Sequence, residues 1–108
     1  MTLSDVRLLP VLQTRGINAD ASRDKSGQTH NYIVDCLMRL YAGDYGEIPE
    51  EDTAANNDEL QAGEGRILAR YKAAHDLTED IYIIAAFSQS MPDIIDANHT
   101  MIMYCSEY

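Results

Sequence analysis

The chain has little of what secreted, membrane-spanning or disulfide-bonded proteins need. Its 108 residues include two cysteines, one phenylalanine and no tryptophan. No apolar run approaches the length that crosses a bilayer, and the first ten residues, MTLSDVRLLP, lack the long apolar core of a secretion signal. We therefore expect a cytoplasmic protein with reduced thiols, bound to no membrane.

Basic charge is also scarce, and one segment has none. Eight lysines and arginines stand against 18 acidic residues, which gives a formal net charge of -10. The segment 43–65 holds eight of the acids and no lysine, arginine or histidine. Such a chain disfavours direct contact with polyanions such as nucleic acids, and it favours basic protein surfaces. Solubility alone is the plainer explanation of an acidic composition.

Motifs that carry chemistry are absent from the sequence. The histidines (His30, His75, His99) and the cysteines (Cys36, Cys105) share no zinc-binding spacing. The acidic segment does not follow the ligand order of a calcium loop, and the chain has no nucleophile elbow or phosphate-binding loop. We therefore expect no cofactor, no metal and no catalytic activity.

Hydrophobic spacing predicts two helices. Apolar residues three and four apart predict a helix from Thr29 or Asn31 to Ala42, ended by Gly43. Asp35 and Arg39 are expected to pair on its exposed side. Pro49 at the first position, followed by three acids, predicts a second helix over 49–60.

That second helix has little with which to bind the core. Its thin apolar face is expected to consist of Ala54, Ala55 and Leu60. A helix of this composition docks on a core that other elements supply, so most of its surface should face water.

Alternating or continuous apolar runs predict strands at 6–12, 66–72, 81–87 and 100–106. The polar stretches 13–28 and 88–98 are expected to be loops. Residues 1–108 thus form one α+β domain in the order β-α-α-β-β-β. We expect a small antiparallel sheet of three to four strands with both helices packed on one face.

The second face of this sheet is expected to be unusually apolar. It should carry Tyr82, Ile84, Ile102 and Tyr104, which would favour a protein partner or a homodimer at that face.

The acidic segment is the candidate partner-binding surface, because it concentrates charge of one sign. Its candidate contact residues are Asp44, Tyr45, Glu47, Glu50, Glu51, Asp52, Asp58, Glu59 and Glu64.

Five short blocks occur along the chain in a recognisable order. They are GDYGE at 43–47, NND at 56–58, RILARY at 66–71, DIYII at 80–84 and a final EY. Together they resemble a family of small uncharacterised proteins of plasmids, conjugative elements and prophages. That family has a charged block TEADRS where this chain has AAFSQS at 85–90, a departure that argues further against catalysis. The resemblance implies a mobile-element setting, in which short acidic proteins are often anti-CRISPR or anti-restriction inhibitors.

Two hypotheses follow. In the first, the chain inhibits a host CRISPR effector or restriction enzyme by placing its acidic segment on a basic nucleic-acid-binding surface. In the second, it is an accessory regulatory module of the mobile element that acts through protein–protein contact or homodimerisation.

Overall fold

The computed structural model describes residues 11–88 and 99–108, which form a four-stranded sheet and three α-helices. The strands are β1 (Val11–Gln13), β2 (Glu64–Tyr71), β3 (Ile81–Ser88) and β4 (His99–Tyr104). The helices are α1 (Arg15–Arg23), α2 (Gln28–Tyr41) and α3 (Glu50–Ala62), and a 3₁₀ turn at Cys105–Glu107 follows β4. The predicted α+β class is confirmed.

The sheet is mixed, with the strand order β1-β4-β3-β2. Strands β2, β3 and β4 form the predicted antiparallel meander, and β3 lies inside the sheet, as its apolar residues on both faces predict. β1 pairs in parallel with β4, with Leu12 opposite Met101. Residues 6–10 of the predicted first strand and 89–98 of the predicted loop lie outside the described residues.

The core lies between the sheet and α1 and α2. Ile67, Ala69 and Tyr71 of β2 point into it, as their alternation predicts, and each is at most 1% exposed. From α2, Ile33 and Cys36 meet them at helical spacing. Cys36 is therefore a packing residue, as expected.

Helix α1 corrects the prediction of a loop over 13–28. Thr14 caps it, because its Oγ1 accepts a hydrogen bond from the Ile17 amide at 3.5 Å. Ile17 is fully buried and anchors the helix on the core. Gly16 and the polar composition favour a loop, but one buried apolar residue, Ile17, with Ala21 packed beside it, is enough to hold the helix once the sheet supplies the partner surface.

The face assignment of β4 also needs correction. Ile102 and Tyr104 point towards α1 and α2, where they are 1% and 5% exposed, and they lie opposite Ile83 and Ile81. Both alternating sets of β4 are apolar, so alternation could not tell which set faces the core. The face opposite α1 and α2, here called the outer face, instead carries Leu12, Leu68, Tyr82, Ile84, Met101 and Met103.

Two local predictions on the helices are wrong. Arg39 does not pair with Asp35. Its Nε donates to Asp44 Oδ2 at 2.7 Å instead. On α3, Ala54 and Ala55 are exposed, and the one buried residue is Asn56.

Candidate functional site

The acidic segment lies along the edge of β2. The Asn56 side chain donates to Leu68 O at 2.8 Å and accepts from Leu68 N at 3.0 Å. Arg70 lies two residues further along the strand, and its amide donates to Tyr45 O at 3.1 Å. The carbonyl oxygen of Arg70 accepts from the Glu47 amide at 2.7 Å. Outward-facing backbone groups of this edge are thereby satisfied, which prevents another strand from pairing there.

Helix α3 is specified by its ends rather than by an apolar stripe. Pro49 precedes it with φ near -61°, and Glu50, Glu51 and Asp52 occupy its positively polarised first turn. Gly63 ends it in the left-handed conformation. Only Asn56 is buried and Leu60 packs partly on the core, so most of the helix surface faces water. That surface carries the five carboxylates together with three exposed alanines, Ala54, Ala55 and Ala62.

The carboxylates of α3 form two adjacent rows. Glu51 and Asp58 are seven residues apart, which is close to two full turns, and both are exposed. Asp52 and Glu59 have the same spacing and are half-buried, on the flank towards the outer face. Glu50 is exposed beside the first row. The carboxylates thus lie in two groups on the solvent-facing side of α3, three in its first turn and two near its last turn, with the uncharged residues 53–57 between them.

Two of the nine candidate residues do not belong to this surface. Asp44 is neutralised by Arg39, and that hydrogen bond, with a second from the Gly46 amide, lowers the pKa of the Asp44 carboxyl. Tyr45 is 6% exposed and packs in the core, so its prediction as a contact residue is wrong.

The other seven candidates are available for contact. None of them lies within 4.0 Å of a lysine or arginine nitrogen in the described part of the chain, where the ion pairs join Asp20 to Arg23, Asp44 to Arg39 and Asp80 to Arg70. The seven are Glu47, Glu50, Glu51, Asp52, Asp58, Glu59 and Glu64. We call them the acidic surface.

A cavity of about 270 Å³ lies beside α3 on the outer face. Leu68 and Ile84 supply apolar lining, and Glu59 lines the side of α3. Gly65, Arg66 and Tyr108 complete the lining. The Tyr108 ring packs against Tyr82, with 5.4 Å between the ring centroids. The sequence did not predict this cavity, because it requires the last residue to return over β3.

The outer face exposes apolar and aromatic side chains both at the cavity and away from it. Leu12 and Tyr108 are 49% and 66% exposed. Arg70 lies 5.9 Å from the Tyr82 ring centre and also pairs with Asp80 at 3.1 Å. This face therefore offers a second surface for protein contact, although Tyr104 and Ile102 are not part of it.

Within residues 11–88 and 99–108, no group of three or more histidine, cysteine, aspartate or glutamate side chains has the arrangement that holds a metal ion. Among the helices described, none has the length and apolarity required to cross a bilayer.

No protein-family model, curated protein or solved structure matches this chain. The resemblance to mobile-element proteins therefore stays a prediction, and the geometry of the acidic surface and the outer face is the basis for assigning a function.

Proposed function

We propose that this chain is a non-catalytic interaction protein whose acidic surface occupies a basic, nucleic-acid-binding surface of another protein. The resemblance to mobile-element proteins makes a host defence nuclease the preferred target, either a CRISPR effector or a restriction enzyme. The observation that carries the proposal is that five carboxylates of α3 have no ion-pair partner within the described chain.

The charge density of α3 is comparable to that of nucleic acid. Glu50 and Glu59 are separated by nine residue steps, which at 1.5 Å per residue is about 14 Å. Five carboxylates lie within that length. One strand of DNA carries a phosphate about every 3.4 Å and therefore about four over the same length. A groove that binds a phosphate backbone would meet a similar amount of negative charge on α3.

The attachment of α3 favours such binding. Asn56 and the Arg70 contacts hold the segment against β2, so the carboxylates are positioned before a partner arrives. Preorganisation lowers the ordering cost of association. Each lysine or arginine that α3 covers also releases or replaces an anion, which makes binding sensitive to salt.

Competition with DNA tests the proposal. A CRISPR effector and a restriction enzyme are each loaded with fluorescent DNA, and the chain is added at low and at high salt. We expect release of DNA from the target at low salt and much less release at high salt. Replacing Glu51→Gln and Asp58→Asn together should weaken release about tenfold, because exposed charge pairs contribute up to about 1 kcal/mol each.

A matched control changes the net charge equally elsewhere. Asp35→Asn with Asp76→Asn removes two exposed carboxylates that lie outside the acidic surface, and it should release DNA as the wild type does. If both double variants lose the same activity, general acidity and not α3 is responsible. If the wild-type chain releases DNA from neither class of nuclease at low salt, the proposed target is wrong.

The outer face favours a second candidate function, a regulatory module that acts by homodimerisation or by contact with a mobile-element protein. The observation that supports this candidate is that Leu12 and Tyr108 are exposed on the same face as Tyr82 and Met103. Sedimentation across concentrations tests the dimer, and Leu12→Asp should shift a dimer to monomer. A monomer at all concentrations would remove this form of the candidate.

A further inference from the structure

The cavity beside α3 combines three features in one place. Its lining includes the apolar side chains of Leu68 and Ile84, and Ile84 is 7% exposed. The carboxylate of Glu59 and the ring of Tyr108 also line it. An aliphatic stem with a cationic end matches this set, because the stem packs on apolar carbon while the charge meets a carboxylate and an aromatic face.

Gly65 allows the carboxylate to lie where it does. A Cβ at position 65 would overlap the Glu59 carboxylate, and the φ of 124° at Gly65 also disfavours other residues. The absence of a side chain here leaves the Glu59 carboxylate beside the strand at the cavity wall. Glu59 also forms no ion pair within 4.0 Å in the described part of the chain.

Arg66 lines the same cavity, and its positive charge would repel a cationic ligand. Its Nη2 donates to the Tyr108 hydroxyl at 3.2 Å, which holds the guanidinium at the Tyr108 side. Since Arg66 makes no ion pair with Glu59, the carboxylate remains available to a cation from outside.

We propose that this cavity receives one basic side chain, lysine or arginine, of the protein that the acidic surface binds. The volume of about 270 Å³ is below the range of about 300–1,000 Å³ for drug-sized ligands, and it suits a single inserted side chain. Such an anchor in a pocket is typical of the residues that dominate binding energy at interfaces. The proposal rests on the proposed function for the identity of the partner as a basic protein.

Amide NMR spectra of the intact chain, recorded during titration with Nα-acetyl-lysine methylamide and with the arginine analogue, test the cavity directly. We expect saturable shifts at Gly65, Leu68 and Ile84. The norleucine analogue, which has the stem without the charge, should bind about fivefold or more weakly, because a charge-assisted contact of about 1 kcal/mol is lost.

Variants separate the cavity from general acidity. Glu59→Gln should weaken lysine binding about fivefold, because it removes the charge and keeps the side-chain shape. Glu51→Gln, in the exposed row, should leave it unchanged. Tyr108→Leu should weaken it about threefold through loss of the aromatic face. Arg66→Gln should strengthen it by removing the like charge.

Opposite results overturn the proposal. An equal loss in Glu51→Gln and Glu59→Gln would show diffuse attraction and no cavity site. Weaker lysine binding in Arg66→Gln would show that Arg66 shapes the cavity rather than repelling the ligand, which contradicts the proposed arrangement. Saturable shifts of the same amides with Nα-acetyl-glutamate methylamide would assign the cavity to an anionic group. Because this titration uses free amino acid derivatives, an absence of saturable shifts would count against the cavity site and would not affect the result of the DNA-release experiment. Failure of DNA release with intact saturable shifts would count against the proposed function alone.

Discussion

Asn56 and Leu68 form a closed pair in which a side-chain amide takes the place of a neighbouring strand. Its two hydrogen bonds measure 2.8 and 3.0 Å, and Asn56 is 3% exposed. An asparagine side chain presents the same donor and acceptor as a peptide group, so it can satisfy an edge residue completely. The most acidic helix of the chain is therefore held to the sheet by a polar contact rather than by an apolar stripe.

Replacing Asn56→Ala should lower the free energy of unfolding by about 2–3 kcal/mol, because two hydrogen bonds are lost and the Leu68 backbone groups lose their partner. Urea denaturation measures this change. Asn57→Ala is the matched control. Asn57 is the exposed neighbour on the same helix, and its replacement should change stability by less than about 0.5 kcal/mol.

Hydrogen exchange distinguishes local release of α3 from general destabilisation. In Asn56→Ala, the Leu68 amide should exchange faster than in the wild type. The amide of the neighbouring Ala69 should keep its protection from exchange, because Ala69 pairs with Ile83 of β3 on the other side of the strand. Equal acceleration at both positions would mean that the pair does not act as a separate attachment.

Gly46 is required where the chain passes the edge of β2. Its φ is 71°, and a Cβ there would overlap the carbonyl oxygen of Arg70. Gly43 has a φ of 88° but no atom within 4 Å of such a Cβ. Gly43→Ala should therefore cost only the left-handed conformation, about 1–2 kcal/mol.

Gly46→Ala should cost clearly more than Gly43→Ala, because the backbone of β2 must also move. Thermal and urea denaturation of the two variants measure the difference directly. If the two variants lose the same stability, the close approach between position 46 and Arg70 does not matter for folding.

The elements with strong periodicity could be predicted from the sequence. Helix α3 and strands β2 and β3 begin and end within about two residues of the prediction, because helical or alternating spacing and terminal Gly or Pro residues define them. Helix α2 ends one residue before the prediction and begins at Gln28, before both of its predicted starts, Thr29 and Asn31. Helix α1 could not, since its polar residues resemble a loop. Its signal was the Thr14 cap followed by Ile17 and Ala21 at helical spacing.

The candidate site could be predicted in part. Charge concentration located the acidic surface, but it could not show that Tyr45 is buried or that Arg39 neutralises Asp44. The burial of Tyr45 depends on core residues distant in sequence, and the pairing of Arg39 with Asp44 depends on how the chain turns after the end of α2. The cavity depends on the return of Tyr108 over Tyr82, a tertiary contact for which no local pattern exists.

The Tyr71 hydroxyl anchors the turn that leads into the acidic surface. It donates to Asp44 O at 2.7 Å, and the ring is 1% exposed. Tyr71→Phe should lower the free energy of unfolding by about 1–2 kcal/mol, because the hydrogen bond is lost within a partly buried site. Tyr108→Phe removes an exposed hydroxyl and should cost less than about 0.5 kcal/mol. Denaturation curves in which both variants match the wild type would contradict this role.

Asp24, just before the start of α2, should make the free energy of unfolding depend on pH. Its Oδ1 accepts from the Ser26 amide at 3.0 Å and from the Ser26 hydroxyl, and its Oδ2 accepts from the Thr29 hydroxyl and amide at 2.7 and 2.9 Å. These hydrogen bonds, the one from the Ser26 hydroxyl first, hold the pKa of the Asp24 carboxyl well below its usual range. Thr29 is fully buried, so the carboxylate positions a core residue.

A carboxyl whose pKa is lowered by folding stabilises the folded state above its unfolded pKa of about 3.9 and loses that contribution as the pH falls towards the folded pKa. Asp24→Asn should therefore be less stable than the wild type near neutral pH, and the difference should shrink below about pH 4. Urea denaturation across this range measures it. If the difference in the free energy of unfolding between Asp24→Asn and the wild type is unchanged or larger at low pH, the hydrogen bonds from Ser26 and Thr29 do not favour the charged carboxylate.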